Sequence, residues 1–330
     1  MSSVTVTIPT WNRRELLELL LDDLRGQTYP AEEVVVVDNG SQDGSAEAAT
    51  AHGAKVIRMS FNAGFCVAVN RALEHVQTPW VAIVNNDVRL SADWLEQLLT
   101  VAEKQKAWFA TGKLLQLGRP GIIDGTYDLI CRGGCAWRAG HGHVDGPEWD
   151  VQRTIHFPPF TAVLLRTALF EVIGQLDERL ESYLEDVDFG MRAALLGYTG
   201  IYVPGAVAYH IGSSSMGRWH PEVVRRIARN QLLLVAKHYP AGCLLRCFWP
   251  VLAAQTLWGL VALRHGAGLA FLRGKLEGLK QFRSFRSSVA QPRSTVGRLR
   301  QLLNQSENDL YDLQRRTRFD FYWKAYFTVT

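Results

Sequence analysis

The sequence predicts an α/β fold, with a mostly parallel sheet flanked by helices and a helical extension at the C-terminal end. Two observations support this prediction. Short apolar runs alternate with amphipathic helical patterns over about the first two-thirds of the 330 residues, which is typical of parallel sheets with right-handed crossovers. Long basic helical patterns then replace the strands. We therefore expect one domain over residues 1–220 and a second, helical region over residues 221–330.

The first strand and helix are predicted at the N-terminal end. Val4–Ile8 is a short β-rich run, followed by Pro9 and Thr10. Asn12 fits the N-cap of the next helix, because Glu15 stands three residues later as in a capping box. The helical pattern continues to about Arg25.

The alternation continues through the next 180 residues. Four consecutive valines in Glu33–Asp38 indicate a strand buried on both faces. Ser91 is a candidate N-cap for a helix to about Lys106. Residues 118–150 are rich in glycine and weakly periodic, so we expect a long loop or a β-excursion near the site. The other strands are expected at 55–59, 80–84, 161–166 and 207–210. The other helices are expected after Ser41 to about His52, at 167–173 and at 185–196, and a loop with a helix is expected over 62–76.

Polar residues stand directly after three of these strands. They are Thr10, Asp38 and Asp87. In open parallel sheets ligands bind beyond the carboxyl ends of the strands, so these side chains mark a candidate site. Ordinary turn chemistry is the alternative, because strand ends are usually polar.

Five short motifs occur in a defined order along the same region. They are Asp38-Asn39-Gly40-Ser41, Asn62-Ala63-Gly64-Phe65 with Asn70, Asn85-Asn86-Asp87, Glu185-Asp186-Val187-Asp188 with Arg192, and His210. Their order resembles that of family 2 glycosyltransferases with the GT-A fold. Phe160-Thr161-Ala162, Gly174-Gln175-Leu176-Asp177-Glu178 and Tyr183-Leu184 further resemble the bacterial rhamnosyltransferase-type branch. The resemblance covers about residues 3–240 and implies inverting sugar transfer from a nucleotide sugar.

The resemblance also implies a divalent cation, Mn²⁺ or Mg²⁺, which acts as a Lewis acid on a departing diphosphate. Asp87 matches the metal-binding acid of the family's Asp-x-Asp motif. Asn85 replaces the first acid of that motif, so we expect Asn85 and Asn86 to contact the nucleotide. His210 closes the motif series as a metal ligand or a diphosphate contact, and an imidazole suits Mn²⁺ better than Mg²⁺.

The remaining donor contacts follow from the same resemblance. Asp38 corresponds to a carboxylate that accepts the imide N–H of uracil or thymine, which only an acceptor can do. The serines after His210, together with Arg218, are expected to form a flap over the diphosphate. Further contacts to the base, phosphates and sugar are implied for Thr10, Arg13, Asn62, Gly64 and Asn70. The alternatives are that Arg13 is a solvated helix residue and that Asn70 is a buried helix amide.

Asp186 corresponds to the general base, which takes the proton of the acceptor hydroxyl during attack on the anomeric carbon. Glu185 lies beside it as a substrate contact. The alternative is that these acids merely favour the start of a helix, where negative charge is stabilised. Arg192, four residues after Asp188, is expected either to pair with that acid or to contact substrate.

Charge is divided unevenly along the chain. Residues 1–210 contain 17 Lys and Arg against 26 Asp and Glu, a net −9, whereas residues 211–330 contain 19 against 6, a net +13. Cys247–Leu263 is an uncharged run between Arg246 and Arg264, and a basic stretch follows from Arg273 to Arg300. Apolar residues with basic flanks favour a helix on an anionic membrane surface. The alternatives are a spanning helix, or a helical hairpin buried in protein or in a homo-oligomer interface.

These features lead to a functional expectation. We expect an enzyme that transfers a sugar, possibly rhamnose in the sense of the branch it resembles, from a UDP- or dTDP-sugar to a lipid-linked or polysaccharide acceptor in cell-envelope glycan synthesis. Its expected location is cytoplasmic, peripheral on the inner face of the membrane, because no signal-peptide pattern is present. A nucleotidyltransferase would usually carry a glycine-rich phosphate loop after the first strand, and a non-catalytic binding protein would not need Asp186. No nucleic-acid-binding motif occurs.

Overall fold

The computed structural model describes residues 1–211, 217, 219–287 and 295–330. The flap predicted from the serines after His210 and from Arg218 lies outside the described residues. The chain divides into two compact units. Unit 1 contains Met1–Tyr127 and the described part of Gly140–Ser214, and unit 2 contains Asp128–Ala139 and the described part of Ser215–Thr330.

Strands and helices alternate through the first part of the chain, as predicted. The strands are β1 (Val4–Thr10), β2 (Glu33–Asp38), β3 (Lys55–Arg58), β4 (Trp80–Val84), β5 (Val88–Leu90), β6 (Phe109–Gln116), β7 (Ile123–Gly125), β8 (Asp128–Ile130), β9 (Ala136–Arg138), β10 (Arg153–Ile155), β11 (Ala162–Arg166) and β12 (Gly200–His210). The helices of unit 1 are α1 (Arg14–Arg25), α2 (Ser45–Ala51), α3 (Phe65–Leu73), α4 (Trp94–Lys104), α5 (Thr167–Ile173) and α6 (Glu185–Leu195). Short 3-10 helices lie at Pro147–Trp149 and Glu178–Leu180.

Unit 1 is built on one mixed sheet. Its strand order is β10-β12-β6-β11-β4-β1-β2-β3, with β5 paired to β12 and β7 paired to β6. The strands β3, β2, β1 and β4 run parallel to one another. Strand β11 runs antiparallel to both β4 and β6, whereas β12 is parallel to β6. The parallel half is the part that the sequence pattern predicted, and its carboxyl ends share one edge.

The core of unit 1 follows from two periodicities. Val4, Val6 and Ile8 of β1 alternate with residues on the opposite face, as a strand requires, and are fully buried. Leu17 and Leu20 of α1 pack in the same cluster. Burying each such side chain contributes roughly 1.5–3 kcal/mol, which fixes the helix against the sheet and places the strand ends at one edge.

The predicted cap at Asn12 is wrong. Helix α1 begins at Arg14, and its N-cap is Arg13, which has a φ of 66°. The side-chain oxygen of Asn12 instead accepts the N–H of Gln42 over 3.1 Å. This loop-to-loop bond replaces the local cap because the loop after β2 lies against the start of α1.

The predicted cap at Ser91 is wrong for a similar reason. Helix α4 begins at Trp94 with Asp93 as its N-cap. The hydroxyl of Ser91 donates to the carbonyl of Val207 in β12 over 2.7 Å. The residue therefore joins β5 to the neighbouring strand rather than capping the helix.

Unit 2 combines the hairpin of β8 and β9 with a set of helices. These are α7 (Pro221–His238), α8 (Ala241–Arg246), α9 (Phe248–Arg264), α10 (Gly268–Ser287), α11 (Thr295–Thr317) and α12 (Phe321–Val329). Helix α10 lies very close to α7 at Gly274: a Cβ added there would stand 2.1 Å from the carbonyl oxygen of Arg225. Among the described residues, none of these helices combines the length and the apolar character that crossing a bilayer requires.

Candidate active site

The ends of β1 and β4 are joined by side chains of two predicted site residues. Asn86 Nδ2 donates to Thr10 Oγ1 over 2.7 Å and to the carbonyl of Asn12 over 3.3 Å. Thr10 is buried, and Asn86 is partly buried. This bond holds the turn after β4 against the end of β1, so the two strand ends form one wall of the candidate site.

Asp38 lies at the neighbouring strand end. Its side chain is buried, and its Oδ1 accepts the N–H of Ser41 over 3.0 Å. Ser41 Oγ in turn accepts the N–H of Asn12 over 2.7 Å. The carboxylate is therefore held in a fixed orientation beside the turn that contains Asn12 and the half-buried Arg13, whose backbone is left-handed.

Asn39 holds the loop Asn62-Ala63-Gly64, here called the donor loop because Asn62 and Gly64 were predicted to contact the donor. Asn39 itself was not predicted as a site residue. Its Nδ2 donates to Asn62 Oδ1 over 3.0 Å and to the Gly64 carbonyl over 3.2 Å, while its Oδ1 accepts the N–H of Ala63. Gly64 has a φ of 96°, and a Cβ there would lie 3.2 Å from the Glu181 carbonyl oxygen. The loop thus needs glycine, both for its conformation and for the close approach of the backbone.

Asn70 has its amide bonded to the chain itself. Its Nδ2 donates to the Leu176 carbonyl and to Glu178 Oε1, each over 3.0 Å, and its Oδ1 accepts the Leu176 N–H. The residue is buried on α3. These bonds fasten the segment before α6 to α3. They correspond to the alternative given above for Asn70, a buried helix amide.

The backbone just before α6 is strained. Glu181, Tyr183 and Leu184 have φ values of 62°, 72° and 66°, which L-residues rarely adopt. The Glu181 carbonyl accepts the N–H of Cys66 at the start of α3 over 3.1 Å. Such strain persists only where surrounding contacts impose it, and it clusters at functional sites.

The acids at the start of α6 are buried next to this strained turn. Asp186 Oδ1 accepts the N–H of Val187 over 2.8 Å, and Glu185 is as buried as Asp186. Burial raises the pKa of the Cys66 thiol, and the carboxylates of Glu185 and its neighbours on α6 raise it further. The α6 acids therefore lie within electrostatic range of α3 and the donor loop.

Asp188 and Arg192 form the predicted ion pair. Arg192 Nε donates to Asp188 Oδ2 over 3.0 Å, four residues apart on α6. The guanidinium also donates to the carbonyls of Ile173, Gly174 and Gln175. Arg192 thus fastens the end of α5 to α6. Of the two roles expected for Arg192, this corresponds to the structural one, pairing with Asp188.

Asp87 and His210, the two predicted metal ligands, lie together. His210 Nε2 is 3.3 Å from Asp87 Oδ1, and His210 Nδ1 is 2.8 Å from Asp124 Oδ2. Burial alone would lower the pKa of His210, but the two carboxylates outweigh it and raise the pKa to about 9. In the metal-free protein the imidazolium therefore balances two buried acids.

The Asn85 side chain supplies an observation that fits a cation or a donor-bearing ligand. Its Oδ1 is buried and accepts no hydrogen bond from the described part of the chain, which is costly unless a ligand supplies the partner. One carboxylate, one imidazole and one amide oxygen suit Mn²⁺ completed by phosphate oxygens and water. Within the described residues no three His, Cys, Asp or Glu side chains form a ready-made metal cluster.

Asp124 was missed by the sequence analysis. It lies on β7, inside the stretch 118–150 that was assigned to a loop or a β-excursion. The available signal was Ile122-Ile123-Asp124-Gly125, an apolar pair followed by an acid and a turn residue, as at the end of β2. The short length of the strand concealed it.

Sequence comparisons agree with the motif order. The model of glycosyl transferase family 2 matches residues 5–126. The chain is 26% identical over 289 residues to an N-acetylglucosaminyl-diphospho-decaprenol L-rhamnosyltransferase of Mycobacterium tuberculosis, covering 78% of this chain and 90% of the relative. It is also 26% identical over 251 residues to the glycosyltransferase GlyA of Streptococcus pneumoniae, covering 72% of this chain and 35% of that protein.

Solved structures confirm the predicted fold. A mannosyltransferase of Pyrobaculum calidifontis, solved with GDP-mannose and Mn²⁺, superposes with a TM-score of 0.54 at 18% identity over 99% of this chain and 86% of that one. GalNAc-T7, solved with UDP, GalNAc and Mn²⁺, gives a TM-score of 0.65 at 13% identity over 96% of this chain and 58% of that one. The fold, the ordered motifs and the family model that matches residues 5–126 all agree in their similarity to glycosyltransferase family 2.

Proposed function

We propose that this glycosyltransferase moves a sugar from a UDP- or dTDP-linked donor to a hydroxyl of a lipid-linked or polysaccharide acceptor, with inversion, in cell-envelope glycan synthesis. The observation that carries the proposal is the contact between Asp87 and His210, which lies after the strand end whose Asn85 oxygen is buried without a hydrogen-bond partner in the described chain. The Mycobacterium relative is named as a rhamnosyltransferase acting on a decaprenol diphosphate, which favours a deoxyhexose donor and a polyprenyl-linked acceptor.

The donor base is recognised by Asp38 in this proposal. A pyrimidine imide N–H is a hydrogen-bond donor, and a carboxylate is its natural acceptor. The Ser41 N–H already fixes the orientation of Asp38, so little conformational entropy is lost on binding. In this proposal Thr10, Arg13 and Asn86 make further contacts to the nucleotide from the joined ends of β1 and β4. Asn62 and Gly64 belong to the loop that Asn39 holds in place.

Asp87 and His210 would hold the divalent cation, with Asn85 Oδ1 directed to the same ligand or to the nucleotide. The bound cation would supply Lewis-acid stabilisation of the departing diphosphate. His210 favours Mn²⁺ over Mg²⁺ as the resident ion, because imidazole is a softer ligand than carboxylate.

Asp186 serves as the general base in this proposal, with Glu185 as a neighbouring substrate contact. Asp186 lies in the first turn of α6, where the helix dipole and the Val187 N–H both favour the ionised carboxylate. An ionised carboxylate can accept the proton of the attacking hydroxyl. The strained turn before it holds the backbone of Glu185 and Asp186 in a fixed position.

The test combines donor binding with turnover. Thermal-shift titrations with a panel of UDP- and dTDP-sugars and Mn²⁺ should show stabilisation by the true donor, since a ligand of the native state raises stability by mass action. Asp186→Asn should keep that shift and lose transfer by more than a hundredfold. Asp22→Asn, at an exposed acid of α1, is the matched control and should retain full activity.

Three other outcomes would overturn the proposal. Normal turnover by Asp186→Asn would remove its role as base. Release of pyrophosphate from a nucleoside triphosphate and a sugar phosphate would indicate a nucleotidyltransferase. Donor binding without transfer to any polyprenyl-diphosphate or polysaccharide acceptor would indicate a binding protein.

The proposed location is the cytoplasmic face of the cell membrane, and it rests on the exposed side of unit 2. In α10, Leu269, Leu272, Leu276 and Leu279 lie on one face and are each 56–75% exposed. The opposite side of α10 carries Gly274, which packs on α7. Helix α9 has the same arrangement, with buried alanines inside and large exposed side chains outside, namely Phe248, Trp249, Leu252, Leu260 and Leu263. Exposed apolar surface of this extent marks an interaction site.

The charge around this leucine face favours an anionic bilayer over a second copy of the chain. Its exposed cationic residues are Arg246, Arg264, Arg273, Lys280 and Arg283. Between residues 240 and 306 the sequence contains one acid, Glu277, and it is paired with Arg225. A second copy would bring the same positive charge, whereas anionic headgroups complement it.

Flotation tests this location. Full-length protein should float with vesicles of phosphatidylglycerol and phosphatidylcholine, and less with phosphatidylcholine alone. Leu272→Ser with Leu276→Ser should lose most of the binding, whereas Leu196→Ser, an exposed leucine of unit 1, should not. No binding by the full-length chain would overturn the proposal, and a dimer that the double variant dissociates would assign the face to homo-oligomerisation.

A further inference from the structure

Strand β7 contains a β-bulge at Asp124. Leu114 of β6 pairs with Gly125, and the next residue, Leu115, pairs with Ile123, so β7 contains one extra residue, Asp124, between these two pairs. A bulge turns its side chain away from the regular alternation of the strand, and bulges are frequent beside active sites. The bulge therefore sets the direction of the Asp124 carboxylate.

The carboxylate is directed at His210. Strand β12 runs along the other side of β6, with His210 opposite Gln116. Asp124 Oδ2 lies 2.8 Å from His210 Nδ1, and Asp124 is only 5% exposed. The backbone around the bulge is itself fixed, because His141 Nδ1 lies 2.7 Å from the Asp124 carbonyl oxygen and the Ile123 N–H donates to the His143 carbonyl.

This contact determines which ring nitrogen of His210 is available. An ionised carboxylate only accepts hydrogen bonds, so Nδ1 must carry the proton that Asp124 receives. The ring then presents Nε2 toward Asp87, 3.3 Å away. A carboxylate behind a histidine in this way fixes its tautomer and orientation and strengthens it as a ligand.

We propose that Asp124 is a positioning residue that orients His210 so that Nε2, together with Asp87, forms the cation-binding corner of the site. The proposal rests on the metal role of Asp87 and His210 proposed above. Asp124 acts through the imidazole and does not contact substrate.

The test measures Mn²⁺ binding by electron paramagnetic resonance on the full chain, with and without UDP, and requires no turnover. Asp124→Asn keeps the shape of the side chain but removes the charge that holds the Nδ1 proton. Its Mn²⁺ affinity should fall about 10–100-fold, the usual effect of losing such a partner. Asp93→Asn, at the start of α4 in the same unit, is the matched control and should bind Mn²⁺ like the original chain.

A double-variant cycle separates positioning from other roles. If Asp124 acts through His210, then Asp124→Asn should have no further effect on Mn²⁺ affinity in a His210→Ala background. A further loss in that background would show that Asp124 acts on the cation independently, and it would overturn the proposal. Unchanged affinity in Asp124→Asn alone would also overturn it.

A spectroscopic measurement keeps the test independent of folding. In the metal-free protein, the Nδ1–H proton of His210 should give a downfield resonance that disappears in His210→Gln and moves strongly upfield in Asp124→Asn. A merely structural role for Asp124 would leave that resonance in place in any folded variant. If the original chain binds no Mn²⁺ while His210 keeps this resonance, the metal proposal and the inference both fail; if it binds Mn²⁺ and only the Asp124 effects are missing, the inference alone fails.

Discussion

Asn86 and Thr10 are 2.7 Å apart, and their hydrogen bond connects the turn after β4 to the end of β1. The two residues are 76 positions apart in sequence, but Thr10 ends β1 and Asn86 follows β4, and these two strands pair in parallel. The bond fixes the position of Asn85 and Asp87 relative to the β1–α1 turn, because both residues are neighbours of Asn86 in the chain. The nucleotide and cation parts of the candidate site are thereby held in one arrangement.

The first prediction concerns this bond. Asn86→Ala should lower the free energy of unfolding by about 1–2 kcal/mol, because it leaves the buried Thr10 hydroxyl without its donor, and it should raise the KM for the donor. Urea unfolding and donor titration measure the two effects. Asn304→Ala, at an exposed asparagine of α11, should change neither. The loss should shrink in a Thr10→Val background, and equal losses in both backgrounds would contradict the coupling.

The second prediction concerns the amide that replaces the first acid of the Asp-x-Asp motif. Asn85→Asp is nearly isosteric and puts a carboxylate where a buried oxygen has no partner among the described residues. We expect Mn²⁺ affinity to rise roughly tenfold, since each added carboxylate strengthens a hard-cation site. The metal-free variant should be less stable, because it buries a further acid in addition to Asp87 and Asp124. Isothermal titration and thermal unfolding in a chelator measure these effects, and Asn85→Ser should show no gain in affinity. A variant that binds Mn²⁺ no better would place Asn85 away from the cation.

Much of the parallel half of the sheet could be predicted because its signals are local. The four valines of β2 and the apolar run of β4 gave bounds that agree with the structure, Glu33–Asp38 and Trp80–Val84. The polar residues that follow these strands were also identifiable, since strand ends in such sheets face the ligand site. Asp38 and Asp87 were predicted as site residues in this way, whereas Asp186, at the start of α6, was predicted from the motif order.

The features that were missed depend on contacts between distant segments. Asp124 points at His210 because β7 pairs with β6 in a bulged register, and no local pattern encodes that register. The caps assigned to Asn12 and Ser91 failed because their side chains bond to Gln42 and to Val207 instead. Capping patterns describe an isolated helix, whereas these polar groups are claimed by tertiary neighbours.

The third prediction concerns the contact between α7 and α10. Gly274→Ala should lower the free energy of unfolding by about 1–3 kcal/mol, because the new Cβ would meet the Arg225 carbonyl at 2.1 Å and the helices must separate. Gly297→Ala in α11 is the matched control: no atom lies within 4 Å of its Cβ position, so it should stabilise by about 0.5–1 kcal/mol. Denaturation of both variants checks the signs. Equal effects would show that the helix contact does not constrain residue 274.

The fourth prediction concerns Lys275, whose ammonium group is turned into unit 2. Lys275 Nζ donates to the Ala228 carbonyl over 2.9 Å, to Gln231 Oε1 over 3.0 Å and to Gln255 Oε1. Burial lowers the pKa of Lys275 from 10.5 to about 7, while the charge on Cys135 works in the opposite direction. The unfolded chain therefore binds this proton more tightly than the folded chain does.

The sign of the pH dependence follows from that difference. Below pH 7 both states hold the proton and the folded state carries the full cost of the buried charge. Between pH 7 and 10.5 the unfolded state binds more protons, so stability attributable to this group rises with pH. Lys275→Met removes the effect, so its stability relative to the original chain should be highest below pH 7 and should decline as the pH approaches 10.5. Urea unfolding at several pH values measures the decline. Lys280→Met, at an exposed position of the same helix, should show a constant difference, and a constant difference for Lys275→Met as well would mean that the ammonium is not desolvated in the folded protein.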